Sequence, residues 1–162
     1  MAEHDEHWVY DDGGRAAAGY RGEAGDCVAR AIAIAAGIPY CEAYHGLRAA
    51  LRDYVANHRD RVARRIQRGR GRRGRTPRNG VNKRVYRPYL LSLGWRWVPT
   101  MHIGSGCKVH LRENELPGGR IIAKVSRHLC AVIDGVIHDT HDPSRAGTRC
   151  VYGYWTTRES DT

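Results

Sequence analysis

Arg127-His128-Leu129-Cys130-Ala131-Val132-Ile133-Asp134-Gly135-Val136-Ile137-His138-Asp139 is the stretch that decides how this chain folds. Asp-Gly between β-branched apolar residues specifies a two-residue type I′ turn, so the stretch predicts a β-hairpin. With Asp134 and Gly135 in the turn, Ile133 faces Val136, Val132 faces Ile137 and Cys130 faces Asp139. Side chains alternate between faces, so His128, Cys130 and Val132 share one face with Ile137, Asp139 and His141. His128 and Asp139 become diagonal neighbours within hydrogen-bonding reach. His138 and Asp142 project from the opposite face.

About a hundred residues earlier, Gly25-Asp26-Cys27-Val28-Ala29-Arg30 opens a second informative stretch. Asp26 suits a helix N-cap, Ala31 to Ala36 contains only alanine and isoleucine, and Gly37 suits the C′ position. A helix this apolar is buried on most sides. Cys27 lies in its first turn, where backbone N–H groups and the helix dipole favour a thiolate. The adjacent Asp26 opposes that effect, because a second negative charge beside a carboxylate is disfavoured.

Taken singly, Cys27 reads as a small core residue, His128 as a structural histidine and Asp139 as a turn residue. Their joint pattern is more specific. A thiol at a helix start, an imidazole on a later strand and a carboxylate diagonal to it form the nucleophile, base and orienter of cysteine chemistry.

These residues resemble the papain-like cysteine peptidase fold, in particular its small, bacteriocin-processing-peptidase-like versions. The stretches Gly25 to Ala31 and His128 to Pro143 also resemble small proteins of this type encoded by phages and bacteria. The resemblance implies an α+β fold in which N-terminal helices pack on a C-terminal antiparallel sheet. It implies a cysteine hydrolase, a peptidase acting on the amide bond of a peptide or protein substrate through Cys27, His128 and Asp139, without a cofactor. Such peptidases carry a glutamine shortly before the cysteine to complete the oxyanion hole. Six positions before Cys27 stands Arg21, and no glutamine precedes Cys27, so the second donor is unassigned.

Composition bounds the rest. A chain of 162 residues with 41% apolar content builds one domain around one core. No apolar run is long enough to span a membrane, and the acidic N-terminus lacks the pattern of a signal peptide. Five irregularly spaced cysteines argue against a disulfide framework, which makes a reducing cytoplasm the expected location, that of the host if the chain is phage-encoded. Residues 1–20 read as a flexible arm ahead of a single domain over 21–162.

The net charge of +10 is local. Residues 59–78 hold ten arginines and one acid, for +9, and the remainder carries +1. The shift marks an Arg-rich insertion over 59–80. It supports an alternative function of a different class: a non-enzymatic protein on the same scaffold that binds nucleic acid or an acidic protein partner. Arg64, Arg65, Arg68, Arg70, Arg72, Arg73 and Arg75 would neutralise phosphates there without reading sequence. The plain alternative is a solvated loop.

Along the chain, a second helix is expected from Pro39 through Tyr44, Leu47, Leu51 and Tyr54-Val55, with its pattern reaching Ile66. Glycine, proline and arginine make Gly69–Gly80 a loop. A third helix fits Val81–Leu93, kinked or split at Pro88. Strands are expected at Trp95–Val98, Ile121–Val125 and Val151–Trp155, with a short helical turn over Glu113–Leu116. His102, Cys107 and His110 are zinc-type ligands, as are Cys130, His138, His141 and Cys150, but their spacing matches no paired motif and no metal is expected.

Overall fold

The structure, a computed structural model, describes residues 7–22, 24–69 and 76–157. It is an α+β fold of four helices and a mixed six-stranded sheet, accompanied by a two-stranded ribbon. The elements run β1 (Trp8–Tyr10), α1 (Cys27–Ala36), α2 (Tyr40–Asn57), α3 (Arg61–Arg68), α4 (Lys83–Ser92), β2 (Arg96–Pro99) and β3 (Val109–His110). After a 3-10 turn at Glu113–Glu115 come β4 (Arg120–Val125), β5 (His128–Ile133), β6 (Val136–Asp139), β7 (Cys150–Val151) and β8 (Gly153–Thr156). The main sheet is ordered β1-β6-β5-β4-β8-β2, and β3 pairs with β7.

The hairpin forms in the expected register, Ile133 opposite Val136 and Val132 opposite Ile137. Asp134 and Gly135 both have positive φ, 49° and 84°, as a type I′ turn demands. Alternation along β5 then builds two cores. Leu129 and Ala131 join Ile122, Trp155 and the helices, while Cys130 and Val132 join Ile121, Val125, Ile137, Leu111 and Val151 on the other face. Both faces of the sheet are therefore covered, one by helices and one by the ribbon and its loops.

Helix α1 is buried from Val28 to Ala35 and lies across β5 and β4. Gly37 closes it in the left-handed conformation, φ 66°. Asp26 occupies the N-cap position, but its carboxylate caps no backbone N–H and turns into the protein instead. The second helix ends at Asn57 rather than running to Ile66. His58 is extended, and Asp60 begins α3 by accepting the Ala63 N–H at 2.9 Å while also accepting a hydrogen bond from the Tyr54 hydroxyl. Part of the expected insertion is thus a packed helix, with Ala63 and Ile66 buried. Helix α4 runs through Pro88 without splitting. Pro88 faces solvent, where the carbonyl it leaves unbonded can be hydrated.

Two further expectations are corrected. The first concerns the N-terminal arm, because residues 7–20 are part of the fold. Trp8, Val9 and Tyr10 pair in parallel with Ile137, His138 and Asp139, so the sheet is mixed rather than antiparallel. Three extended residues among acids carry little local signal, and the pairing forms because β6 offers them a free edge. The second concerns the cysteines, because Cys107 and Cys150 form a disulfide across a sequence separation of 43, with their Cα atoms 5.8 Å apart. This removes both from the zinc-type ligands. Cys27, Cys41 and Cys130 are free thiols. Among the described residues, no helix is long and apolar enough to cross a membrane.

Candidate active site

Packing of α1 against β5 sets its first turn at the beginning of that strand. Cys27 comes to lie beside the backbone of Leu129 and the ring of His128. On the next strand, Asp139 accepts a hydrogen bond from His128 Nε2 at 2.6 Å, with the two side chains only 11% and 4% exposed. The diagonal relation expected from hairpin register is the one found. Because Nε2 is committed to Asp139, Nδ1 is the ring nitrogen left for the sulfur.

Burial alone would push the Cys27 thiol up. A side-chain hydrogen bond and the charge of His128, then the Leu129 N–H and Arg30, outweigh it and hold the thiol below its ordinary range. Burial likewise disfavours the imidazolium, but Asp139 and Cys27 together push His128 up to about 9. The carboxyl of Asp139 resists burial through His128, the Thr140 N–H and Arg30, and is held low. The three groups thus favour a thiolate, an imidazolium and a carboxylate.

Behind them lies a buried ionic chain in which Asp26, expected only as a helix cap, is joined by Arg15, Arg30 and Tyr40, which sequence reasoning did not single out. Arg30 pairs with Asp26 through Nη1 and reaches Asp139 Oδ1 with Nη2 at 3.4 Å. Asp26 also accepts the Tyr40 hydroxyl at 2.5 Å and lies 3.1 Å from Arg15 Nε. Its charge is therefore balanced by two guanidinium groups, and the expected penalty on a Cys27 thiolate is relieved. The signal was present: Asp26 and Arg30 stand one helical turn apart in a segment otherwise too apolar to hold charge.

Comparison with family models, with curated proteins and with solved structures returned no match. Chemistry and geometry alone therefore carry the functional reading.

His128, Asp139 and His141 offer ligand atoms within 4.8 Å of one another, a spacing a metal ion can bridge. Binding an ion there would take His128 Nε2 from the carboxylate it already contacts. Thr140 N–H and Arg30 also occupy the other oxygen of Asp139, so the group is saturated by protein partners as it stands.

Of the arginines singled out above, Arg64, Arg65 and Arg68 lie exposed on α3. Together with Arg61, Leu51, Asn79 and Val81 they line a cleft of about 1170 Å³. Arg70, Arg72, Arg73 and Arg75 lie outside the described residues.

Proposed function

We propose that the protein is a cysteine hydrolase of papain-like type, acting on an amide bond of a peptide or protein. The observation that carries this reading is the convergence of Cys27, His128 and Asp139, with the sulfur and the ring each favouring the other's charged form. In the reaction, the Cys27 thiolate attacks the carbonyl carbon and forms a C–S bond. The C–N bond breaks as the His128 imidazolium gives its proton to the departing nitrogen. Water then attacks the thioester, with neutral His128 taking its proton; the C–S bond breaks, the acid is released and Cys27 leaves as the thiolate beside the re-formed imidazolium. Throughout, Asp139 holds the ring in one tautomer and stabilises its positive form.

The oxyanion needs donors. The Cys27 backbone N–H, at the start of α1, is one. For the second, Asn79 has suitable chemistry: its Nδ2 is buried with no hydrogen-bond partner among the described residues. Its backbone is bridged to Gly25, two residues before the nucleophile, with the Gly80 N–H donating to the Gly25 carbonyl at 2.8 Å. A quenched-fluorescence peptide library tests both assignments. Cleavage by the wild type should vanish in Cys27→Ala and fall by roughly a hundredfold in Asn79→Ala. Cleavage that survives in Cys27→Ala would overturn the hydrolase reading.

A second reading rests on α3. Its apolar residues Ala63 and Ile66 anchor it, leaving Arg61, Arg64, Arg65 and Arg68 as a cationic wall along the cleft. A polyanion such as RNA or DNA would bind there through its phosphates. Its affinity should drop at least about tenfold between low and physiological salt, as counterion release requires. Salt-independent binding would remove this reading.

A further inference from the structure

The proposed hydrolase site has a second cationic feature, distinct from α3 and directly against the base. Ser126, Arg127, His128, His141, Arg145 and Arg149 line a polar pocket of about 450 Å³. His128 heads β5, and the others come from two separate turns, the β4–β5 connection and the loop between β6 and β7. Among the described residues no carboxylate lines the pocket, and the nearby acids are engaged. Asp139 is bound to His128, and Asp142 accepts from His7 at 2.7 Å and from the Ser144 N–H at 2.9 Å.

The arginines are placed in different ways. Arg149 is a fixed wall, donating through Nη1 to the Pro143 carbonyl at 3.2 Å and through Nη2 to the Ser126 carbonyl, so it ties the two turns together. Arg127 and Arg145 are exposed, and both have left-handed backbone, φ 57° and 52°. That conformation suits glycine or asparagine and is unfavourable for a long side chain. Two turn positions that would accept glycine thus carry guanidinium groups on either side of one pocket.

Its position against His128 determines which part of a substrate it meets. The imidazolium must reach the departing nitrogen, so the leaving group lies on the His128 side of the sulfur. We infer that Arg127, Arg145 and Arg149 form a subsite for a carboxylate carried by the leaving group. On this assignment, which rests on the hydrolase reading, the substrate has an acidic residue or a free chain end immediately after the bond that breaks.

Haloacetyl reagents test this without knowledge of the substrate. Iodoacetate is a carboxylate and iodoacetamide its neutral isostere; both form the same C–S bond at Cys27 with loss of iodide. The ratio of their rates at Cys27, divided by the same ratio for free cysteine, should exceed one by about tenfold. In the double variant Arg127→Gln, Arg145→Gln that normalised ratio should fall towards the value set by His128 and Arg149, and added salt should lower the wild-type ratio. The ratio cancels changes in the thiol itself. A ratio equal in wild type and variant overturns the subsite while leaving the hydrolase reading intact. If neither reagent modifies Cys27 faster than Cys41, the hydrolase reading fails and the subsite with it. Protection of Cys27 by glutamate α-amide would place the carboxylate on a side chain, whereas protection by glutamine would place it at the chain end. Either supports the subsite, and protection lost in the double variant ties it to the arginines.

Discussion

Alkylation of the native protein at about pH 6 will modify Cys27 ahead of both other free thiols, by roughly tenfold to a hundredfold. Cys41 is a free, exposed thiol and serves as the internal comparison. Cys130 is buried, and burial first, then the charge of Asp139, pushes its thiol up. At Cys27, burial is outweighed by His128, which favours the reactive thiolate. The advantage is smaller than the difference in thiolate fraction, because a lower-pKa sulfur is intrinsically less nucleophilic. The pH profile should rise at low pH as the thiolate forms. It should then hold a plateau until the imidazolium loses its proton near about 9. His128→Ala should abolish the plateau and move the rise towards the ordinary thiol range, and Asp139→Asn should shorten the plateau from its upper end. Peptide mapping after partial alkylation reads all three thiols at once. Equal labelling of Cys27 and Cys41 would sink the proposed chemistry.

Why the geometry of the candidate site was legible in the sequence, and its surroundings were not, follows from the range of each interaction. The turn at Asp134-Gly135 is a four-residue event, so the hairpin and the pairing of His128 with Asp139 are encoded locally. The alanine and isoleucine run after Cys27 specifies a buried helix for the same reason. The edge strand Trp8–Tyr10 is different, since nothing near it in sequence names a partner about 130 positions away. The disulfide joins cysteines 43 residues apart whose spacing is uninformative until β3 and β7 pair. The break between α2 and α3 lies under a continuous apolar pattern, with Asp60 ahead of Arg61 as its one local capping signal. The α+β class was legible, whereas the mixed sheet and the covering of its second face were not. Arg30 is the instructive omission. In sequence it bounds an apolar run; in the structure it links the carboxylate of the helix cap to the carboxylate of the candidate triad.

Replacing that arginine should have the largest effect on stability of any substitution in the site. Arg30 is 8% exposed and spans two buried carboxylates, Asp26 at 1% and Asp139 at 3%. Removing one partner of a buried ionic group leaves uncompensated charge, which costs about 3–5 kcal/mol. Arg30→Met retains the length and apolar stem of the side chain and removes only the charged fork, so it isolates that cost. Arg15 and Tyr40 still hold Asp26, which moves the expectation to the lower end, about 3 kcal/mol in the urea-unfolding free energy at pH 7. Arg30→Lys should recover part of it, since a single ammonium cannot present two parallel donors to separate carboxylates. The pH dependence has a definite sign. Asp139 is depressed in the folded protein, so its contribution is present above its unfolded value near about 4 and is lost as pH falls through the lower folded value. Without Arg30 the depression is smaller and less is lost on acidification. The wild-type and Arg30→Met stabilities should therefore converge as pH falls below about 4, while remaining far apart at neutrality. Urea midpoints at the two pH values decide the point. A deficit of the same size at both would show that Arg30 acts through packing rather than charge, and that Asp139 is oriented by His128 and Thr140 alone.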